Sequence, residues 1–139
     1  MLKDNTMLSK MMNNKTKTKK ILLVDDEPDI VAVVSTILKC SGYAVITAGD
    51  GQQAIDKAQS EKPDLILLDK KMPIMDGQTT LLKLQANEKT SDIPVIMLTS
   101  CTDGEDIELA QKGGAAEYIA KPFDRPVLLE KVARVLKAR

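Results

Sequence analysis

Ile21-Leu22-Leu23-Val24-Asp25-Asp26-Glu27-Pro28 sets four consecutive apolar residues before three acids and a proline. A short, wholly apolar run of this kind reads as a strand buried on both faces, as in parallel sheets covered by helices on each side. Pro28 suits a first helical turn, where its missing N–H would have had no partner anyway. Ile30, Val33, Val34, Ile37 and Leu38 then recur at helical spacing, and Gly42 stands where a helix cap is wanted.

Outward from this stretch the pattern repeats. Ala44-Val45-Ile46 reads as a second strand, and Gln52–Ser60 as a helix with Ala54, Ile55 and Ala58 turned inward. Leu65-Ile66-Leu67-Leu68 is the most apolar strand. Asp76-Gly77 opens a helix carrying Leu81, Leu82 and Leu84. Ile93–Leu98 reads as a fourth strand with Pro94 near its start, where a missing donor is tolerated. Glu105–Lys112 reads as a short helix, Glu117-Tyr118-Ile119 as a fifth strand, and Pro126–Lys137 as a last helix, inward at Leu128, Val132, Val135 and Leu136. Five strands alternating with five helices through short loops imply an α/β fold, a doubly wound parallel sheet covered on both faces. In such sheets ligands bind outside the carboxyl ends of the strands.

Composition removes several function classes. The 139 residues fit one domain. One Phe, two Tyr and no Trp leave no stacking platform for single-stranded nucleic acid. The absence of His rules out a His-based triad and a Cys/His zinc site, and Cys40 and Cys101 lack metal-ligand spacing. Two thiols in a core-forming chain fit the reduced state of a cytoplasm. No GxxxxGK[ST] loop supports nucleotide binding. Residues 1–20 hold six Lys against Asp4, a net +5; the other fourteen basic and nineteen acidic residues leave the body at −5. Residues 1–19 are therefore expected to be a disordered basic tail, and 20–139 the folded domain. Neither a secretory leader nor an apolar run long enough to span a bilayer is present, so no membrane is expected as a partner.

At the strand ends the candidate chemistry converges. Asp25 and Asp26 follow strand one, Asp69 strand three, Thr99 strand four and Lys121 strand five. Two carboxylates about 4 Å apart repel by roughly 4 kcal/mol at an effective dielectric near 20. One Lys cannot neutralise three acids, but a hard divalent cation can, and an all-oxygen donor set selects Mg²⁺, Mn²⁺ or Ca²⁺ over zinc. A carboxylate is a competent nucleophile toward phosphorus once a metal masks charge on the incoming group. Phosphoryl oxygens need further donors, which Thr99 and Lys121 can supply.

Val24–Pro28, Asp69-Lys70-Lys71-Met72-Pro73-Ile74-Met75-Asp76-Gly77, Leu98-Thr99-Ser100 and Tyr118-Ile119-Ala120-Lys121-Pro122-Phe123 resemble the signature segments of response-regulator receiver domains. The resemblance spans residues 20–138. It implies a flavodoxin-like strand order 2-1-3-4-5, Asp69 as phosphoacceptor, and Mg²⁺ held by Asp26, Asp25, Asp69 and the Lys71 carbonyl. It also implies Lys121 on the phosphoryl group with a cis bond to Pro122, and Thr99 with Tyr118 as a switch pair acting on the face of the fourth helix, fifth strand and fifth helix. The implied function is a phosphorylation-activated response regulator of a two-component system. It would be charged by a sensor histidine kinase or phosphotransfer protein and would signal by protein contact. Mg²⁺-dependent self-phosphorylation and autodephosphorylation would be its only chemistry. A phosphorylation-dependent homodimer is compatible with the switch face, and nucleic acid is not an expected partner. The end of the chain soon after the last helix suggests no attached output domain. Ser100 stands where a smaller Ala or Gly is frequent, and Lys71 and Cys101 occupy positions at the entrance to the phosphoryl site.

Two rivals compete with this reading. A constitutive binding module could keep the fold without the chemistry, but would have no need of the acid trio, Thr99 and Lys121. An aspartyl-phosphate phosphatase would want a second Asp two residues after the nucleophile, where this chain has Lys71.

Overall fold

Ile21 to Val24, Leu65 to Asp69 and Val95 to Thr99 lose all but a trace of their solvent exposure, because each strand is roofed by helices on both sides. The computed structural model describes residues 18–72, 74–100 and 114–138. In chain order the elements are β1 (Lys20–Val24), α1 (Pro28–Cys40), β2 (Ala44–Ala48), α2 (Gly51–Glu61), β3 (Leu65–Asp69), α3 (Gly77–Ala86), β4 (Val95–Ser100), β5 (Glu117–Lys121) and α4 (Arg125–Lys137). The sheet is parallel throughout with strand order β2-β1-β3-β4-β5, the doubly wound arrangement expected from the sequence. Residues 1–17 of the tail expected over 1–19, the helix expected at Glu105–Lys112 and Cys101 lie outside the described residues; α4 is thus the helix read as the fifth.

Alternation along the strands splits the core in two. On one face Leu22, Val24, Ile66, Leu68, Val95 and Met97 meet Ala54, Ile55 and Ala58 of α2 and Leu81 and Leu84 of α3. On the other, Ile21, Leu23, Leu65, Leu67, Ile96, Leu98 and Ile119 meet Val34 and Leu38 of α1 and Leu128, Val132 and Val135 of α4. Two apolar residues placed on helix faces by the sequence stay exposed: Val33 at 58% and Leu82 at 53%. β4 begins after Pro94 rather than at Ile93. Pro94 lacks the N–H a ladder needs, yet its carbonyl still accepts from Ile66 N at 3.0 Å.

Local chemistry fixes the ends. Gly42, at φ 95°, follows α1, with its N–H bonded to the Lys39 carbonyl and Tyr43 N to that of Leu38. Asp50, Asp76 and Asp124 cap α2, α3 and α4 by accepting from the N–H three residues on. The bonds to Thr79 hold the Asp76 carboxyl below the usual carboxylate range. A group so depressed stabilises the fold above its unfolded value of 3.8 and loses that contribution as pH falls through its lower native value. Asp76→Ala is therefore expected to cost about 1 kcal/mol at neutral pH. That deficit should shrink as denaturation is repeated below pH 3.8. A pH-independent difference between the two proteins would contradict this.

Candidate functional site

The carboxyl ends of β1, β3, β4 and β5 bring together the residues singled out from the sequence. Asp69 is the last residue of β3, Thr99 lies near the end of β4, and Lys121 ends β5. Asp69, Asp25 and Thr99 are almost wholly buried, at 4%, 2% and 1% exposure. Burying polar side chains this deep is costly unless neighbouring groups satisfy them.

Lys121 does much of that work. Its Nζ donates to Asp69 Oδ1 at 2.8 Å and lies 3.5 Å from Asp25 Oδ2, so one ammonium bridges the acids of two strands. The Lys121–Pro122 peptide bond is cis, as the family resemblance implies. Asp25 Oδ1 accepts from Glu27 N at 3.0 Å, which turns the chain sharply into α1. Asp25 Oδ2 and Thr99 Oγ1 are buried with no hydrogen-bond partner among the described residues.

Asp26 and Glu27 stand at the open rim, both exposed. Ligand oxygens of Asp25, Asp26 and Glu27 lie within 4.8 Å of one another. Asp25 and Asp26 border a cleft of about 230 Å³ whose far wall is Thr47–Gly49 at the end of β2. Glu27 was not assigned a place by the sequence reading, although the unbroken acidic run after β1 pointed to it. Lys71 is exposed two residues beyond Asp69.

Charge in this pocket is out of balance. Burial pushes the Asp69 carboxyl up, and Asp25 and Asp26 push the same way; the hydrogen bond and charge of Lys121 pull it down without cancelling the rise. For Lys121, burial opposes the ammonium, but Asp69 and Asp25 outweigh it and hold its value above normal. Both partners of one ion pair thus move upward. The two directions agree with a site that has too many carboxylates for its single cation.

The segment between β3 and α3 sets the surroundings of Asp69. Gly77 N donates to the Lys70 carbonyl at 2.7 Å. A Cβ at Gly77 would come within 2.4 Å of the Asp69 carbonyl oxygen and 2.7 Å of Lys70 Cα, so only glycine lets α3 begin there. Ile74, in the same segment, adopts a left-handed conformation at φ 71°, which is strained for a β-branched residue, and is 86% exposed.

Tyr118 is half-buried on β5, packed against the core beneath α2 and α3. Register pairs Met97 with Tyr118 and Thr99 with Ala120. Tyr118 and Thr99 are therefore diagonal neighbours on one face of the sheet.

Residues 21–133 match the family of response regulator receiver domains. The chain is 41% identical over 119 residues to the alkaline phosphatase synthesis transcriptional regulatory protein PhoP of Bacillus subtilis, covering 86% of this chain and 49% of that protein. The chain spans about half the length of the curated relatives it matches. Among solved structures it superposes on Vibrio cholerae chemotaxis protein CheY4 with a TM-score of 0.80 at 36% identity, covering 85% of this chain and 98% of that one. The receiver domain of the Pseudomonas aeruginosa sensor histidine kinase PA1611, solved with magnesium coordinated in its active-site cleft, gives 0.80 at 33% identity over 86% and 98%. Among the described residues, no helix is long and apolar enough to cross a membrane.

Proposed function

The chain belongs to the response regulator receiver domains, and from that membership we propose that it is the phosphoacceptor of a two-component signalling system, charged on Asp69 by a histidine kinase or phosphotransfer protein. The observation that carries the proposal is the buried bridge from Lys121 to Asp69 and Asp25 beside a rim of further acids. A purely structural domain gains nothing from enclosing two carboxylates with one ammonium, since a buried ion pair rarely outweighs its own desolvation.

The donor set fits Mg²⁺. Asp25 Oδ2, buried and lacking a hydrogen bond, lies at the inner end of the acidic cluster, and every candidate donor is an oxygen. Asp25, Asp26 and Asp69, with the main-chain carbonyl of Lys71, would hold the ion, with Glu27 at the rim. Bound there, Mg²⁺ supplies charge neutralisation for the incoming phosphoryl oxygens.

The chain's own residues do the rest. Lys121 occupies Asp69 Oδ1 and leaves the second carboxylate oxygen to attack phosphorus. A bond forms from that oxygen to phosphorus as the bond to the donor's nitrogen or oxygen breaks, giving an acyl phosphate on Asp69. Lys121 then turns its ammonium to a phosphoryl oxygen, and the Thr99 hydroxyl, with no partner among the described residues, donates to another. Movement of Thr99 toward the phosphoryl group opens space that its diagonal neighbour Tyr118 fills, altering the outer surface of β5 and α4. Output runs through protein contact at that surface, in the cytoplasm.

Calorimetric titration tests the metal site. Asp26→Asn should weaken Mg²⁺ binding at least about tenfold, since even outer-shell changes cost that much. Phosphorylation by acetyl phosphate should stop when Mg²⁺ is chelated. Unchanged Mg²⁺ affinity in Asp26→Asn, or labelling that persists in chelator, would defeat the proposal.

A further inference from the structure

Tyr118 is gripped at several points by side chains of β5 and α4. Its N–H donates to Glu117 Oε1 at 3.0 Å, and its carbonyl accepts from Lys131 Nζ at 2.9 Å. The same Lys131 Nζ sits 5.0 Å from the centroid of the Tyr118 ring. Glu117 Oε1 lies 3.8 Å from Lys131 Nζ, and Glu117 Oε2 lies 3.6 Å from Arg134 Nη1, which in turn belongs to a side chain paired with Glu130. β5 is the edge strand, where main-chain groups facing away from the sheet ordinarily go to water. Here two charged side chains take them instead.

We propose that Lys131 is a latch on Tyr118: its ammonium holds the ring and main chain of Tyr118 in the resting position, and the ring must leave it when Asp69 is charged. The inference rests on the reading of Thr99 and Tyr118 as a switch pair. A cation over a ring face favours the conformer that keeps the two together. The main-chain bond to the Tyr118 carbonyl fixes the ammonium where the resting ring meets it, and the nearby Glu117 carboxylate adds charge attraction. A ring that moves inward keeps its carbonyl bond but loses the cation. Lys131 is therefore a positioning residue that biases the switch toward its unphosphorylated state. By linkage it also makes phosphorylation less favourable.

The chain offers a clean probe, because it has two Tyr and no Trp. In the full chain carrying Tyr43→Phe, Tyr118 is the only tyrosine, and fluorine-labelled tyrosine reports its ring by NMR. Lys131→Met keeps the apolar stem and removes the charge, whereas Lys131→Arg keeps a cation able to stack on the ring. The expected result is a resting Tyr118 resonance in Lys131→Met displaced toward the phosphorylated position. The acetyl phosphate concentration for half-labelling should fall about two- to fivefold. Lys131→Arg should restore the parent behaviour in both. A Lys131→Met protein whose resting resonance and half-labelling point match the parent overturns the latch. A parent resonance that stays still while mass spectrometry shows full labelling overturns the switch reading and the latch with it.

Discussion

Asp69→Asn should not be labelled by acetyl phosphate in the presence of Mg²⁺, while the unaltered chain gains the mass of one phosphoryl group that hydroxylamine removes. Asn keeps the shape of the side chain and can still accept from Lys121, but its amide is no nucleophile toward phosphorus. Loss of a nucleophile that works with its neighbours as a unit costs roughly a thousandfold or more in rate. The remaining carboxylates do not replace it. Asp25 is buried with one oxygen bonded to Glu27 N, and Asp26 sits at the exposed rim without an ion pair to Lys121. The fold should survive, because the change removes one of several crowded like charges and leaves Lys121 its contact with Asp25. Circular dichroism and melting separate the outcomes: a folded Asp69→Asn protein that still takes a hydroxylamine-sensitive phosphoryl group would show that another residue is the acceptor.

The largest change in stability is expected from Leu67→Ala. Leu67 is fully buried in the middle of β3, flanked in register by Leu23 of β1 and Ile96 of β4, within the core under α1 and α4. Backbone ladders on both sides prevent the site from collapsing onto the void, so both the lost transfer energy and the cavity are felt. The cost should be roughly 2–5 kcal/mol, or a melting point lower by roughly 10–20 °C. Leu82→Ala removes the same atoms from a residue that is 53% exposed on α3 and should change stability by no more than about 0.5 kcal/mol. Equal melting points for the two variants would refute this account of the core.

These two leucines also show what the sequence could and could not convey. The run Leu65–Leu68 is apolar without alternation, and only a strand covered on both faces explains that, so the sheet and its helices were legible. Leu82 and Val33 were harder. A periodic pattern marks a helix face, but the width of the face that actually touches the sheet depends on how the helix is rolled against it. The convergence of Asp25, Asp26, Asp69, Thr99 and Lys121 was legible because a parallel sheet sends every strand's carboxyl end to one edge. The double reach of Lys121 to Asp69 and Asp25 depends on the last few ångströms of a flexible side chain, and spacing in sequence carries no such information. Ile74 at positive φ runs against local propensity, so nothing at that position announced it. Lys131 over Tyr118 is a meeting of an edge strand and the helix after it, thirteen residues apart, with no motif to mark it.

The tight seat of Gly77 against the backbone of Asp69 and Lys70 has a bearing on engineering. Because the start of α3 is wedged directly on the peptide that carries the Asp69 carboxylate, helix and carboxylate shift together as one casting. Anyone transplanting this chemistry into another parallel-sheet scaffold would have to carry Asp69 through Gly77 as an uninterrupted cassette. Grafting the carboxylate alone onto a foreign strand would leave its aim to whatever helix happened to follow.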